Sequence, residues 1–544
     1  MPEAPKNARS GALFVAAGIL ASRVMGLVRQ KLFSHWLGVG PAAAAFAAAL
    51  RIPNFLQNLL GEGVLSASFI PVYAGLRAQK KDVEAEQVAG AVFGLLALAV
   101  ALLTALGIVF ARPLTAFIAL GFSGEQLDRT VELTRVLFPG TACLVMGAWC
   151  LGVLNSHRRF FLSYVAPVLW NLCIIAALIV FRHEDAQKLA WWTAAGAATG
   201  GLVQFGAQFP MALKLLGHFR PSFKRTPEVL TVLAGFGPAL IARGVVQLSA
   251  WVDTQLATLV SERALAALTN AFTVSLLPVS LFGMAISAAE LPELSADATQ
   301  AAEERAKALR TRIDAGLTRL VFFVIPSAAA FLLIGEQLSE LLFEGGAFTA
   351  RDSRYVWYLL MGSGIGLVAQ TAGRLYSSAF YALKDTRTPL KFAVIRVALA
   401  SGLGFVSIRW VPGWLNIPNE LGAPFMVAAA GFAAWVEFTL LQNGIRARIG
   451  QVGLPFGRVA KLWACALLAG GAAIGLKIGL VRLLGANPDS AREYLGDLLP
   501  PPAFSPNLTG LFCVAAFGLV YLLLTTVAGV GDAKGLINRV LRRR

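Results

Sequence analysis

Acidic side chains are scarce in this chain: 30 Asp+Glu stand against 47 Lys+Arg in 544 residues, and only 14% of positions are charged. That excludes an ordinary soluble protein and a disordered one. Histidine is scarcer still, with four residues, and none is spaced as a metal ligand. The five cysteines (Cys143, Cys150, Cys173, Cys465 and Cys513) include no CxxC and read as small buried apolar residues. No metal site and no cofactor are expected. A Walker A loop is missing, so ATP does not drive the protein directly. No paired carboxylates or Ser/His/Asp set emerges, so no catalytic residues and no enzyme are expected. The longest polar stretch, near 483–506, is too short for a soluble domain.

Apolar residues are abundant instead: 57% of the chain is hydrophobic, and mean hydropathy is +0.67. A bilayer core needs about 20 apolar residues per helix, and about fourteen such stretches can be traced. The expected fold is therefore an all-α polytopic membrane protein. The net charge of +17 would suggest nucleic acid in a soluble protein. Here the excess sits in alternate loops: RAQKK (77–81), HRR (157–159), HFRPSFKR (218–225), ERAKALRTR (304–312), LKDTRTPLK (383–391), RAR (446–448) and the tail RVLRRR. This is the positive-inside pattern, so the charge sets topology, with both termini in the cytoplasm, and no nucleic-acid partner is expected. The first apolar segment has no small-residue cleavage site after it and continues through Arg23 and Arg29. It reads as a retained helix.

Charges inside the spans are the informative residues. A charge at the bilayer centre costs roughly 2.5–3.5 kcal/mol on insertion scales, and such residues face a bundle interior or a wet cavity. Arg23 and Arg29 lie in the first span and Arg51 in the second; Arg243 and Arg374 fall in the seventh and tenth. These five arginines are the candidate ligands for an anionic substrate, because guanidinium binds phosphate in a bidentate manner. Snorkelling to a headgroup is the structural alternative. Asp253, Glu290 and Glu62 are candidate counter-charges or ion-coupling groups, with Glu62 at a cap or gate between Gly61 and Gly63. Lys384, Asp385 and Arg387 suggest a polar turn network.

A weak internal repeat accompanies them. Pro71 and Pro292 close the second and eighth spans 221 residues apart. Gly121-Phe122 before Asp128 matches Gly345 to Phe348 before Asp352. Two related six-span halves (1–225 and 226–450) plus two extra helices (451–544) are expected. Both halves start on the same side, so the repeat is parallel and suits rocking around a midplane site.

Residues 21–71 carry Ser22-Arg23-Val24, Gly26 and Arg29, then Gly38, Gly40, Pro53-Asn54 and Gly61-Glu62-Gly63 through Ser66, Phe69 and Pro71. Further on come LTRVLFP (133–139), LNSHRRF with Pro167 and Asn171, FGPA (236–239) and FYALKDTRTPLK (380–391). Taken together these resemble the MurJ (MviN) family of lipid II flippases, in the multidrug/oligosaccharidyl-lipid/polysaccharide exporter superfamily. The resemblance implies two six-helix lobes in a V-shaped arrangement and a lipid-tail groove formed by the last two helices. It implies alternating-access transfer of an undecaprenyl-diphosphate-linked precursor from the inner to the outer leaflet of the bacterial plasma membrane, for cell-wall synthesis. Arg23 and Arg29 are carried over as cavity residues. Expected partners are the lipid-linked diphosphate, membrane lipids and other cell-wall synthesis proteins, with the chain a monomer. The drive would be membrane potential or Na+ or H+ coupling.

The chain departs from the family pattern in three places. Ala44 replaces an aspartate, Asn58 replaces a basic residue, and Thr273 stands near an arginine position. The eleventh span offers only Gly404 where an amide would serve a sodium site. A paralogue flipping another polyprenyl-linked glycan is one alternative. A cation-coupled exporter of soluble solutes is another, although it should place acids rather than arginines in its cavity. An enzyme acting on polyprenyl-linked sugars would need an acidic motif in a sizeable loop.

Overall fold

The computed structural model describes residues 6–284, 302–383, 385–453, 455–483 and 506–530, and the side chains of Glu62 and Arg243 are outside that description. Glu290, Pro292 and Lys384 also lie outside the described residues. Among those described there is no strand, only an isolated bridge between Gly345 and Phe348. In hydrocarbon every backbone N–H and C=O needs an internal partner, and a helix supplies one within its own segment.

Contacts divide the chain into two compact units, Met1–Ala266 and Ala267–Arg544. The first contains α1 (Lys6–Leu37), α2 (Pro41–Leu60), α3 (Glu62–Ala78), α4 (Asp82–Val109), the short α5 (Ala111–Ile118), α6 (Gly124–Ser156), α7 (Phe160–Val180), α8 (Ala186–Leu216) and α9 (Pro227–Val260). The division falls inside α10 (Glu262–Pro278), which runs into a π-helical turn at Val279–Met284. The second unit continues with α11 (Ala302–Leu333), the short α12 (Gly335–Phe343), α13 (Ala350–Ala382), α14 (Arg387–Arg409), the single turn α15 (Val411–Leu415), α16 (Gly422–Ile449), α17 (Phe456–Leu483) and α18 (Pro506–Val527). The first unit therefore includes α9, the expected seventh span, and the second includes the last two helices.

Among the described residues, ten helical segments are long and apolar enough to cross a membrane. Four more helices, α1, α8, α9 and α14's neighbour α13, have 32, 31, 34 and 33 residues but are not among those ten. Three of the four (α1, α9 and α13) carry candidate site charges, while Arg51 lies on α2, which is among the ten.

Each unit repeats one order: a long helix, a short helix, then a central helix of 33 residues (α4–α5–α6 and α11–α12–α13). The central helix packs most closely on a later helix of its own unit, α8 for α6 and α16 for α13. Small residues make that approach close, as expected where lipid supplies no hydrophobic drive. A Cβ on Gly201 of α8 would lie 2.3 Å from the carbonyl oxygen of Gly140 on α6, and one on Gly366 of α13 would lie 2.5 Å from Cα of Gly431 on α16. Polar caps fix several helix starts. Thr226 accepts from the Val229 amide ahead of α9, and Thr349 with Asp352 forms a capping box on α13.

Candidate functional site

Arg23 and Arg29 share α1, an unbroken helix in its hydrogen bonding. Six residues turn it by about 240°, so the two side chains leave on different faces. Arg23 is exposed, whereas Arg29 packs against α7. Arg29 Nη1 donates to Asn171 Oδ1 at 3.1 Å, and its guanidinium carbon lies 5.1 Å from the Trp170 ring centroid. Asn171 Nδ2 donates to the Pro167 carbonyl at 3.0 Å, which leaves the amide oxygen aimed at Arg29. Trp170 Nε1 donates to the Ala197 carbonyl of α8, holding the ring. The helices meet closely at Gly18, where a Cβ would lie 2.6 Å from Tyr164 Cβ. No carboxylate pairs with Arg29 among the described residues. A guanidinium held by an amide and an aromatic face keeps its full charge for an anion.

Arg51 on α2 is treated differently. Asp253 on α9 lies close enough to bear directly on its charge. Near Asp253 in the chain, Trp251 packs against Phe55 in a tilted pair with ring centroids 4.4 Å apart. Three departures also have structural settings. Ala44 is fully buried, as are Ala43 and Ala45 beside it. Asn58 is exposed. Thr273 turns its hydroxyl back to the Thr269 carbonyl at 2.9 Å. Gly404 is buried on α14.

In the second unit Arg374 on α13 is exposed, and the charged groups bearing on it are Arg396 of α14 and Glu437 of α16. Arg396 Nε and Glu437 Oε2 lie 3.0 Å apart. Two arginines against one glutamate leave a positive excess. Sequence reasoning singled out Arg374 alone. Arg396, Glu437 and Lys477 also interrupt apolar stretches and carried the same signal. Asn171 was noticed as part of a motif, but its pairing with Arg29 depends on contact between α1 and α7.

Outside the spans, Asp385 forms the expected turn network. It accepts from the Thr388 hydroxyl at 2.7 Å, from the Thr388 and Arg387 amides, and from Arg448 of α16. The Thr388 hydrogen bonds, with Arg448 beside them, hold its carboxyl well below the usual range. The Arg387 side chain is exposed, so that residue joins through its backbone. At the end of α6, His157 Nε2 lies 2.9 Å from the Tyr73 hydroxyl. Burial, with Arg77 beside it, pushes the imidazole down to about 4.

The profile of the family described as lipid II flippase MurJ matches residues 33–484. A protein of Rhizobium tropici described as a probable lipid II flippase MurJ is 30% identical over 547 residues, covering 97% of this chain and 96% of its own. The lipid II flippase MurJ of Burkholderia cenocepacia is 30% identical over 499 residues, covering 84% and 94%. Among solved structures, a lipid II flippase MurJ in an inward closed conformation aligns with TM-score 0.75 at 20% identity, covering 96% of this chain and 100% of that one. An inward-facing multidrug resistance MATE family transporter of the MOP superfamily aligns with TM-score 0.62 at 16% identity, covering 78% and 95%. The fold is thus like that of both solved structures, while the sequence match over most of the chain is particular: this protein belongs to the MurJ lipid II flippase family.

Proposed function

We propose that this protein flips lipid II, the undecaprenyl-diphosphate-linked peptidoglycan precursor, from the inner to the outer leaflet of the bacterial plasma membrane. The observation that carries the reading is Arg29: an arginine in a helix of spanning length, stacked on Trp170 and bonded to Asn171, with no acid among the described residues to neutralise it. A diphosphate headgroup cannot cross hydrocarbon without such a partner, because an unpaired charge there is very costly. Arg23, Arg51 and Arg374 would contact the headgroup along its path, and Arg243 belongs to the same set by sequence. The fourteen-span topology with cytoplasmic termini, two six-span lobes and a tail groove formed by α17 and α18 completes this reading. Alternating access of a monomer follows from the repeated order of elements. Membrane potential, worth about 2.3 kcal/mol per charge per 100 mV, suffices to bias such a cycle. Asp253 serves Arg51 as counter-charge in this scheme.

A second reading has one observation in its favour. Ala44 is buried where relatives are expected to carry an acid, so the headgroup surroundings differ. Another polyprenyl-diphosphate glycan would use the same arginines. Complementation in bacteria depleted of their own lipid II flippase separates the two. Wild type should restore growth, and Arg29→Ala at equal membrane abundance should not. Failure of well-expressed wild type sinks the lipid II reading, and full rescue by Arg29→Ala removes Arg29 from it.

A further inference from the structure

The second unit buries a second set of charges, which the transport reading does not use. Lys477 on α17 is 1% exposed, and its Nζ donates to Glu336 Oε2 at 3.1 Å and to Glu340 Oε1 at 3.0 Å, both on the short helix α12. Arg354 on α13 donates through Nε to Glu336 Oε1 at 3.1 Å, and Gln337 Nε2 reaches Glu336 Oε2 at 3.3 Å. Both oxygens of Glu336 are therefore satisfied. Glu340 differs: it is 3% exposed, its Oε1 has Lys477, and its Oε2 has no partner. Ser339 Oγ and Gln337 Oε1, on the same turn of helix, also lack partners.

The charge count makes Glu340 conspicuous. Among the described residues, the titratable or charged groups around it are Lys477 from α17, Cys513 from α18, Glu336 and Glu344 from α12 and its end, and Arg354 and Asp352 from α13. Asp352 is taken up by the Thr349 capping box, and Glu344 accepts from Ser353 Oγ at 2.6 Å. Three buried glutamates thus share two cations. A buried carboxylate oxygen with neither proton nor donor costs far more than a neutral carboxylic acid in the same place. The corresponding short helix of the first unit makes the contrast: Arg112 of α5 pairs with Asp128 in the open, with both side chains more than half exposed. The burial around α12 comes from the last two helices. α18 approaches so closely at Gly510 that a Cβ there would lie 2.5 Å from the Gln337 carbonyl oxygen.

We propose that Glu340 is a proton-binding site, and that loading it tightens the attachment of α17 and α18 to α12. With the proton on, Lys477 is shared between one carboxylate and one neutral acid, and the three glutamates present two negative charges to two cations. With the proton off, an uncompensated negative charge sits at the joint. Burial, opposed by Lys477, pushes this carboxyl up to about 7, so the change falls within the physiological range. The sign follows from linkage: the folded protein holds a proton that the unfolded chain releases at the ordinary glutamate value, so the contribution is complete at low pH and is lost as pH rises through about 7. The site depends on neither the identity of the transported lipid nor its direction of transfer.

Infrared difference spectroscopy on the full-length protein in lipid nanodiscs tests it. A protonated-carboxyl carbonyl band should grow between about pH 8 and about pH 6. It should vanish in Glu340→Gln and persist in Glu437→Gln. Lys477→Met should move the half-point to at least tenfold lower proton concentration, about one pH unit higher. Glutamine mimics the loaded acid, so Glu340→Gln should fold, and amide exchange in Pro506–Val527, corrected for intrinsic base catalysis, should lose its pH dependence. A wild type without the band, a band retained in Glu340→Gln, an unmoved half-point, or a Glu340→Gln protein less stable than wild type at about pH 6 would each overturn the proposal.

Discussion

Arg29 in the first unit and Lys477 in the second are both cations on helices of spanning length, and the protein handles them in opposite ways. Arg29 has an amide oxygen and an indole face, and no acid among the described residues. Lys477 has two carboxylates and almost no exposure. Coulomb attraction at about 3 Å in a low-dielectric interior consumes a charge, whereas neutral partners only position it. The first arrangement leaves a cation available to a passing anion. The second spends the cation on joining helices. The difference teaches that an intramembrane charge is informative only once its partners are known.

The sharpest way to break the comparison is to turn one site into the other. Asn171→Asp places a carboxylate where Arg29 now meets an amide. The fold should survive, because Asp is nearly isosteric with Asn, but growth rescue of flippase-depleted cells should be lost; full rescue with normal abundance would show that Arg29 need not be free of acids. Next in size is the converse change. Lys477→Met leaves Glu336 and Glu340 without their shared cation, and breaking a buried pair costs about 3–5 kcal/mol. A thermal-unfolding midpoint in detergent that matches wild type at about pH 7 would contradict this.

Smaller effects sharpen the account of each region. Gly510→Ala pushes a methyl into the Gln337 carbonyl, and overpacking of this kind costs about 1–3 kcal/mol. Faster hydrogen exchange in α18 than in α6 should report it, and uniform loosening would place the strain elsewhere. Smallest is His157, whose imidazole is held neutral against Tyr73. Its folded value lies below the unfolded one, so its contribution is present above about pH 6.5 and is lost as pH falls towards about 4. His157→Gln should flatten the acid limb of a stability–pH curve, and an unchanged limb would assign the acid sensitivity to other groups.

Much of the fold was legible because its signals are local. Apolar length marks helices such as α4 and α18 without reference to neighbours. The helices that hydropathy ranks poorly are informative for the opposite reason: α1, α9 and α13 are diluted by Arg23, Arg29, Arg243, Asp253, Arg354 and Arg374. The candidate site was only partly legible. Arg29 stood out as a misplaced charge, but six residues along α1 from Arg23 the same charge lands on another face, and only contact with α7 distinguishes them. Arg51 and Asp253 are about 200 positions apart in the chain, a separation no helical periodicity can bridge. Nothing local marks Glu336 and Glu340, because α17 and α18, which cover them, lie far along the chain.

By itself, the sequence determined that this is a helical membrane protein, how its loops are charged, which spans carry cations, and to which family it belongs. Each of those properties is a sum over neighbouring residues or an ordered set of short motifs. Only the tertiary structure decided which cation is left free and which is neutralised. Charge compensation acts through space over about 3–4 Å, between helices that the chain brings together from far apart.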